Sequence, residues 1–185
     1  MNTEEGTITD DQKKAEAHNK YFASINKATK LTDRDKEKLQ KLKALEKAPS
    51  ASNEIFEKDF TMSELNKHLK KLKRRKSPGP DKLHNEMLTH LGPIGKQALL
   101  RLINLTLQTG EIPRVWKNAL ITPILKKGKP SEDLSSYRPI SLTSVLGKLA
   151  ERMINSRLYW WLETSGTIKH NQAGFREGQR TEDQL

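Results

Sequence analysis

The residues best equipped for chemistry in this chain are its cations, and they cluster. Residues 67–76 (KHLKKLKRRK) hold seven Lys and Arg side chains, and Lys126, Lys127 and Lys129 form a second group. Such clusters bind phosphates without reading sequence, and that binding falls steeply with salt. A solvated helix face is the other reading of a basic run. Other chemistries lack parts. There is no cysteine, which excludes disulfides, thiolate metal sites and thiol nucleophiles. His84 and Glu86 have the H-x-E spacing of zinc deaminases without the cysteines that complete such a site. His84 and His90 lie roughly opposite one another on a helix and are poor co-ligands. Gly128-Lys129-Pro130 lacks the second glycine and the Ser/Thr of a phosphate loop. The eight aspartates supply no strand-borne pair of the kind that two-metal phosphoryl transfer requires. No catalytic residue and no metal ligand is assigned.

The elements that must carry these cations are mostly helical. Spacing predicts an amphipathic helix over 11–28, with Ala15, His18, Phe22 and Ile25 on one side. A second, largely Lys/Glu helix covers 33–47, started by Thr32 or Asp33. Residues 48–60 read as a linker ending in a short extended piece. Thr61 and Glu64 form a capping box that opens a third helix with Leu65, Leu69 and Leu72 buried. Its basic tail runs to Lys76 and is stopped by Pro78. Ser77-Pro78-Gly79-Pro80-Asp81 makes a rigid turn, and Asp81 caps a short helix carrying Met87, Leu88 and Leu91. Pro93 and Gly110 bound a helix with Leu99, Leu102, Ile103 and Leu107 facing a core. The period then changes. Residues 119–125 and 137–143 read as a hairpin with a long positive tip, kept to an edge by Pro123 and Pro139. Thr143 or Ser144 opens a long helix with Leu146, Leu149, Met153, Ile154, Leu158 and Leu162 as its buried stripe, ended by Gly166. A glycine-containing loop follows over 167–180. Thr181 to Gln184 is a further capping box, so a truncated end is expected.

Composition narrows the class. Leu, Ile, Val and Phe make up 22% of 185 residues, with only two valines, which disfavours a large sheet. The first 60 residues are the poorest in core residues and are not expected to fold alone. The net charge of +11 is shared by both halves and points to a polyanionic partner, nucleic acid being the simplest. No apolar run approaches a membrane span and the N-terminus has no apolar signal region. An intracellular protein without a membrane partner is expected.

Three blocks then line up in order: KSPGPD (76–81), WKNALITPILKKGKP with SSYRPISLTSVLGKLAERMINSRL (116–130 and 135–158), and QAGFREGQRTEDQL (172–185). They resemble the start of the reverse transcriptase domain of non-LTR, jockey- or LINE-type retrotransposons, and residues 5–25 are similar to the segment joining endonuclease and polymerase there. The resemblance implies an α+β, mostly helical fold. It would comprise a helical extension (1–60), the helical first part of the polymerase domain (61–118), and the fingers hairpin, long helix and loop leading to a missing palm (119–185). The thumb and the catalytic Asp motifs are absent too. This chain alone is therefore expected to be inactive, although the intact family protein is an RNA-directed DNA polymerase using Mg2+.

The resemblance also implies roles. Arg138 and Lys126 match positions that hold the incoming nucleotide's phosphates. A structural salt bridge from Arg138 to Glu132 or Glu151, and Lys127 in place of Lys126, are the alternatives. Lys70, Lys71, Lys73, Arg74, Arg75 and Lys76 would lie near the template. Gln172, Gly174, Phe175 and Arg176 belong to the motif loop. There Phe175 is expected to pin the loop, and Arg176 either to contact template backbone or to bridge to the palm. Trp160 and Trp161 are read as packing residues. Lys82 stands where the family has glycine, and Gln179-Arg180 replaces the usual Arg-Ser. The implied partners are an RNA template, a DNA primer or target, deoxynucleoside triphosphates and the missing parts of the parent protein, in cytoplasm and nucleus. The rival readings are a non-catalytic basic nucleic-acid-binding protein derived from an element and an unstable translated remnant.

Overall fold

The computed structural model describes residues 2–3, 6–25, 32–46, 54–169, 172–174, 176, 178, 180 and 182. In chain order the elements are β1 (Asn2–Thr3), β2 (Gly6–Thr7), α1 (Asp11–Ile25), α2 (Asp33–Glu46), α3 (Glu54–Glu57) and α4 (Met62–Lys70). There follow α5 (Asn85–Thr89), α6 (Pro93–Thr109), α7 (Arg114–Lys117), β3 (Ala119–Leu125), β4 (Tyr137–Thr143) and α8 (Val145–Thr164). The fold is mostly helical with a small hairpin, β3–β4. Among the described residues no helix is long and apolar enough to cross a membrane. Two compact units interleave along the chain: residues 1–52 with 119–142, and residues 53–118 with 143–185.

The first unit buries little. α1 starts where Asp10 accepts from the Lys13 amide at 2.9 Å, a side-chain cap. It buries His18 and Phe22, while Ile25 lies exposed. His18 stacks on Phe22 and meets the edge of Tyr137 with centroids 4.6 Å apart. α2 is capped reciprocally by Thr32 and Asp35 and carries the ion pairs Lys36–Asp33 and Lys41–Glu37. Leu39 and Leu42 are exposed, so this helix is solvated. In the hairpin Leu120, Ile121, Ile124, Leu125 and Ile140 are all exposed.

The second unit holds the core. Phe60, Leu65, Leu69, Leu72, Leu88, Leu99, Ile103, Trp116, Val145, Leu149, Ala150 and Met153 form one buried cluster. The capping box of α4 is complete. The buried Asn104 amide accepts from the Phe60 amide at 2.8 Å and donates to the Phe60 carbonyl at 3.1 Å. Both polar groups of that backbone are thereby satisfied. α8 begins at Ser144, whose Oγ accepts from the Leu146 amide.

Four expectations need correction. Residues 54–57 are helical, not extended, because Phe56 lies edge-on to Trp161 and Arg157 takes the Ile55 carbonyl at 2.9 Å. α4 ends at Lys70, long before Pro78. Like charges three and four apart repel on a helix, and groups from α5 capture the backbone beyond it. Asp81 does not cap α5: it accepts from the Leu83 amide at 3.2 Å, and His84 holds the cap position without a side-chain bond. The stripe on α8 is buried only over its first half. Ile154 and Leu158 are exposed, as is Leu102 on α6, while Val145 and Ala150 are buried.

Candidate functional site

In the second unit the basic segment leaves helix geometry after Lys70 and is held by its backbone. Asn85 Nδ2 donates to the Lys73 carbonyl at 2.6 Å, and the Arg75 amide donates to Glu86 Oε1 at 2.6 Å. Arg75 has φ +56°, left-handed geometry that costs a non-glycine residue about 1 kcal/mol. Lys70, Lys71, Lys73, Arg74, Arg75 and Lys76 are exposed. Among the described residues none of them makes an ion pair. The cations therefore stand in solvent on a backbone whose polar groups are used elsewhere.

The turn after them is wedged into the unit. Gly79 is buried, and a Cβ there would lie 2.5 Å from the Thr143 carbonyl carbon and 2.7 Å from the Ser144 nitrogen. Only glycine permits that approach to the start of α8. Lys82 has φ +57° and its amide closes the turn on the Gly79 carbonyl at 3.0 Å. This position thus keeps a glycine-type backbone with lysine in it.

In the first unit Lys126 and Arg138 sit on the hairpin. The Lys126 amide bonds the Ser136 carbonyl at 2.8 Å, and its ammonium donates to the Ser135 carbonyl at 2.7 Å. Lys126 is half-buried, whereas Lys127 at the tip is exposed. Arg138 is exposed and, among the described residues, no ion pair joins it to Glu132. Glu132 instead accepts from Ser131 Oγ at 3.1 Å.

The motif loop is tied to α8. Arg176 Nε and Nη2 reach the two oxygens of Glu163 at 2.9 and 2.6 Å, a bidentate pair. Its Nη1 reaches the Lys169 and Gln172 carbonyls at 3.3 and 3.4 Å. Arg176 beside it holds the Glu163 carboxyl below the usual range. This guanidinium is spent within its own unit. Gln172 and Gly174 are exposed and Ala173 between them is buried. Phe175 lies outside the described residues, as does most of the expected capping box at 181–184. Trp161 packs on Phe56, whereas Trp160 is 56% exposed.

The residue that sequence reading missed is Arg157. Its guanidinium bonds both oxygens of Glu64 at 2.8 and 3.0 Å and the carbonyls of Ile55, Lys58 and Asp59. It also lies 4.1 Å from the centre of the Phe60 ring. Burial alone would raise the Glu64 pKa, but Arg157 and the two bonds from Thr61 win and hold it at about 2. The available signal was its place four residues after Met153, on the buried side of α8. Among the described residues no three His, Asp or Glu side chains converge to hold a metal ion. The divalent ion that the resemblance implies has no ligand set among the described residues, and no step is assigned through it.

The chain belongs to the family of the RNA-directed DNA polymerases of non-LTR retrotransposons. It is 38% identical over 125 residues to the RNA-directed DNA polymerase from mobile element jockey of Drosophila melanogaster, covering 68% of this chain and 14% of that protein. It is 40% identical over 129 residues to the probable RNA-directed DNA polymerase from transposon BS of the same species, covering 69% and 14%. The probable RNA-directed DNA polymerase from transposon X-element matches at 32% over 156 residues, covering 80% and 17%. The aligned part is thus a small fraction of each relative's length. No protein-family model matches the chain.

Proposed function

We propose that this segment is the front of an RNA-directed DNA polymerase, comprising the extension and fingers, and that it binds polyanions without performing the chemistry. The observation that carries this reading is the group of six cations, Lys70 to Lys76, exposed and without ion pairs among the described residues on a backbone tied down by Asn85 and Glu86. Fixed cations of that kind suit a single-stranded RNA template, whose phosphates they would follow without base readout. Arg138 is the group we assign to the incoming deoxynucleoside triphosphate, because a planar, solvent-facing guanidinium can take two phosphate oxygens at once. Lys126 is assigned as its neighbour on the hairpin. Its present bond to the Ser135 carbonyl would have to be exchanged for a phosphate oxygen. Arg176, already paired with Glu163, is left out of the template surface. The carboxylates and Mg2+ needed for nucleotidyl transfer belong to other parts of the intact polymerase, along with its DNA primer or target.

The test is RNA binding by the 185-residue chain as a function of salt. Replacing Lys70, Lys71, Arg74 and Arg75 with glutamine should reduce the slope of log affinity against log salt by about 3, at ~0.7 per phosphate on a single strand. An unchanged slope would remove the basic segment from the interface. For Arg138, the Ala substitution in the longer polymerase should raise the apparent nucleotide KM severalfold. An unaltered KM would refute that assignment.

A further inference from the structure

The basic segment contains an acidic residue's handiwork. Glu86, in the first turn of α5, accepts the Arg75 amide at 2.6 Å through Oε1, while its Oε2 is buried without a hydrogen-bond partner among the described residues. Arg75 is one of only two non-glycine residues at positive φ among the described residues. An orphaned buried carboxylate oxygen and a left-handed arginine each cost free energy. Both belong to one bond, and that bond sets the direction of the chain between Arg74 and Lys76. Its neighbour, the Asn85 amide on the Lys73 carbonyl, fixes the backbone two residues earlier. Between them the two side chains hold an irregular stretch that like-charge repulsion would otherwise let spread.

We infer that Glu86 is a positioning residue for polyanion binding: its carboxylate clamps the Arg75 backbone so that the cations of 73–76 are presented in one arrangement. The inference rests on the proposal that this segment binds single-stranded nucleic acid. It makes a prediction opposite in sign to simple electrostatics. Removing a negative charge beside a cation cluster should tighten polyanion binding. Removing a clamp should weaken it, because the flexible cations must then be ordered on binding.

The experiment uses the 185-residue chain, a uridine homopolymer as probe, and three proteins: wild type, Glu86→Ala and Glu86→Gln. Glu86→Gln keeps an oxygen acceptor for the Arg75 amide, loses the charge and puts an amide NH2 in place of Oε2. The expected result is weaker binding by Glu86→Ala, about threefold to tenfold from loss of preorganisation, and binding by Glu86→Gln equal to or tighter than wild type. The salt slope should stay the same in all three, since no phosphate contact is deleted. Circular dichroism melts establish that each variant is folded. Binding by Glu86→Ala that is equal to or tighter than wild type would overturn the clamp while leaving the nucleic-acid reading intact. Weaker binding by Glu86→Gln to the same degree as Glu86→Ala would overturn it too, by showing that the charge and not the acceptor matters. No salt-dependent binding by the wild type would overturn the underlying reading and the clamp with it.

Discussion

The two units are built from one chain yet spend their side chains differently. Every member of the buried apolar cluster lies in the second unit, where α4, α6 and α8 pack around Leu65, Ile103 and Leu149. Among the described residues the first unit buries His18, Phe22 and Ser136 and leaves Leu39 and Leu42 of α2 and most apolar residues of β3 exposed. The arginines are used in two ways. Arg157 and Arg176 in the second unit are bonded to carboxylates and carbonyls, whereas Arg74 and Arg75 of that unit and Arg138 of the first are exposed. An arginine buried beside a carboxylate specifies a fold, and one left in water is available to a ligand. The second unit therefore carries the folding free energy. The first must draw on something beyond its own apolar burial.

The largest expected effect tests that division directly. Leu149→Ala removes a fully buried side chain and should cost about 3 kcal/mol in denaturant unfolding. Leu42→Ala on α2, which is 59% exposed, should stay within about 0.5 kcal/mol. Comparable losses at the two positions would erase the contrast. Arg157→Ala comes next. It strands Glu64 and three carbonyls, and with the pair partly solvent-accessible the cost should be about 2–3 kcal/mol. Gly79→Ala should cost about 2 kcal/mol, because the new methyl meets backbone that cannot rotate away. The melting temperature of each variant reads the loss. A wild-type melt for Gly79→Ala would mean that the turn does not pack on the start of α8.

Acid should separate the units by the groups each one loses. Glu64 is held at about 2 against its ordinary 4.5. Its contribution is full above about 4.5 and disappears as pH falls toward 2. His18 in the first unit is buried, which lowers its pKa below 6.5. The unfolded chain then binds the proton more readily, so packing of α1 on Tyr137 is strongest above about 6.5 and weakens as pH falls through the lowered value. His68 in the second unit shifts in the same direction, by burial and then by Lys71, Lys67 and Arg152. The two are told apart by the Tyr137 ring resonances followed by NMR. These should change as pH falls below 6.5 in the wild type and not in His18→Phe. A Tyr137 titration that survives the substitution would rule out His18 as its source.

What could be read from sequence was what is local. The Thr61–Glu64 box, the Pro93 and Gly110 bounds of α6 and the change to strand period at Ala119 each depend on neighbours within a few residues, and all three stand in the structure. The failures are long-range. Glu64 was legible as a cap but not as the partner of Arg157, 93 residues away. The end of α4 at Lys70 was illegible because Asn85 and Glu86 decide it. Of the candidate site, the cations were visible as a run. Their backbone was not, and neither was the difference between Arg138 in solvent and Arg176 bound to Glu163.

The smallest expected effect bears on how the pinned turn tolerates its sequence. Lys82 holds φ +57°, which a side chain with a Cβ adopts at a cost and glycine adopts freely. Its side chain is exposed, so glycine there removes no buried contact. It does add backbone freedom to the unfolded chain, which opposes the gain. Relief of about 1–2 kcal/mol against an entropic loss of about 0.4–1 kcal/mol leaves Lys82→Gly stabilising by a few tenths to about 1 kcal/mol. Denaturant unfolding at constant slope would register this as a higher midpoint. Lys82→Ala, which keeps the Cβ and removes the charge, should not reproduce it. A lower midpoint for Lys82→Gly would mean that the lysine is not strained, and that the turn of the second unit is held by something other than its backbone geometry.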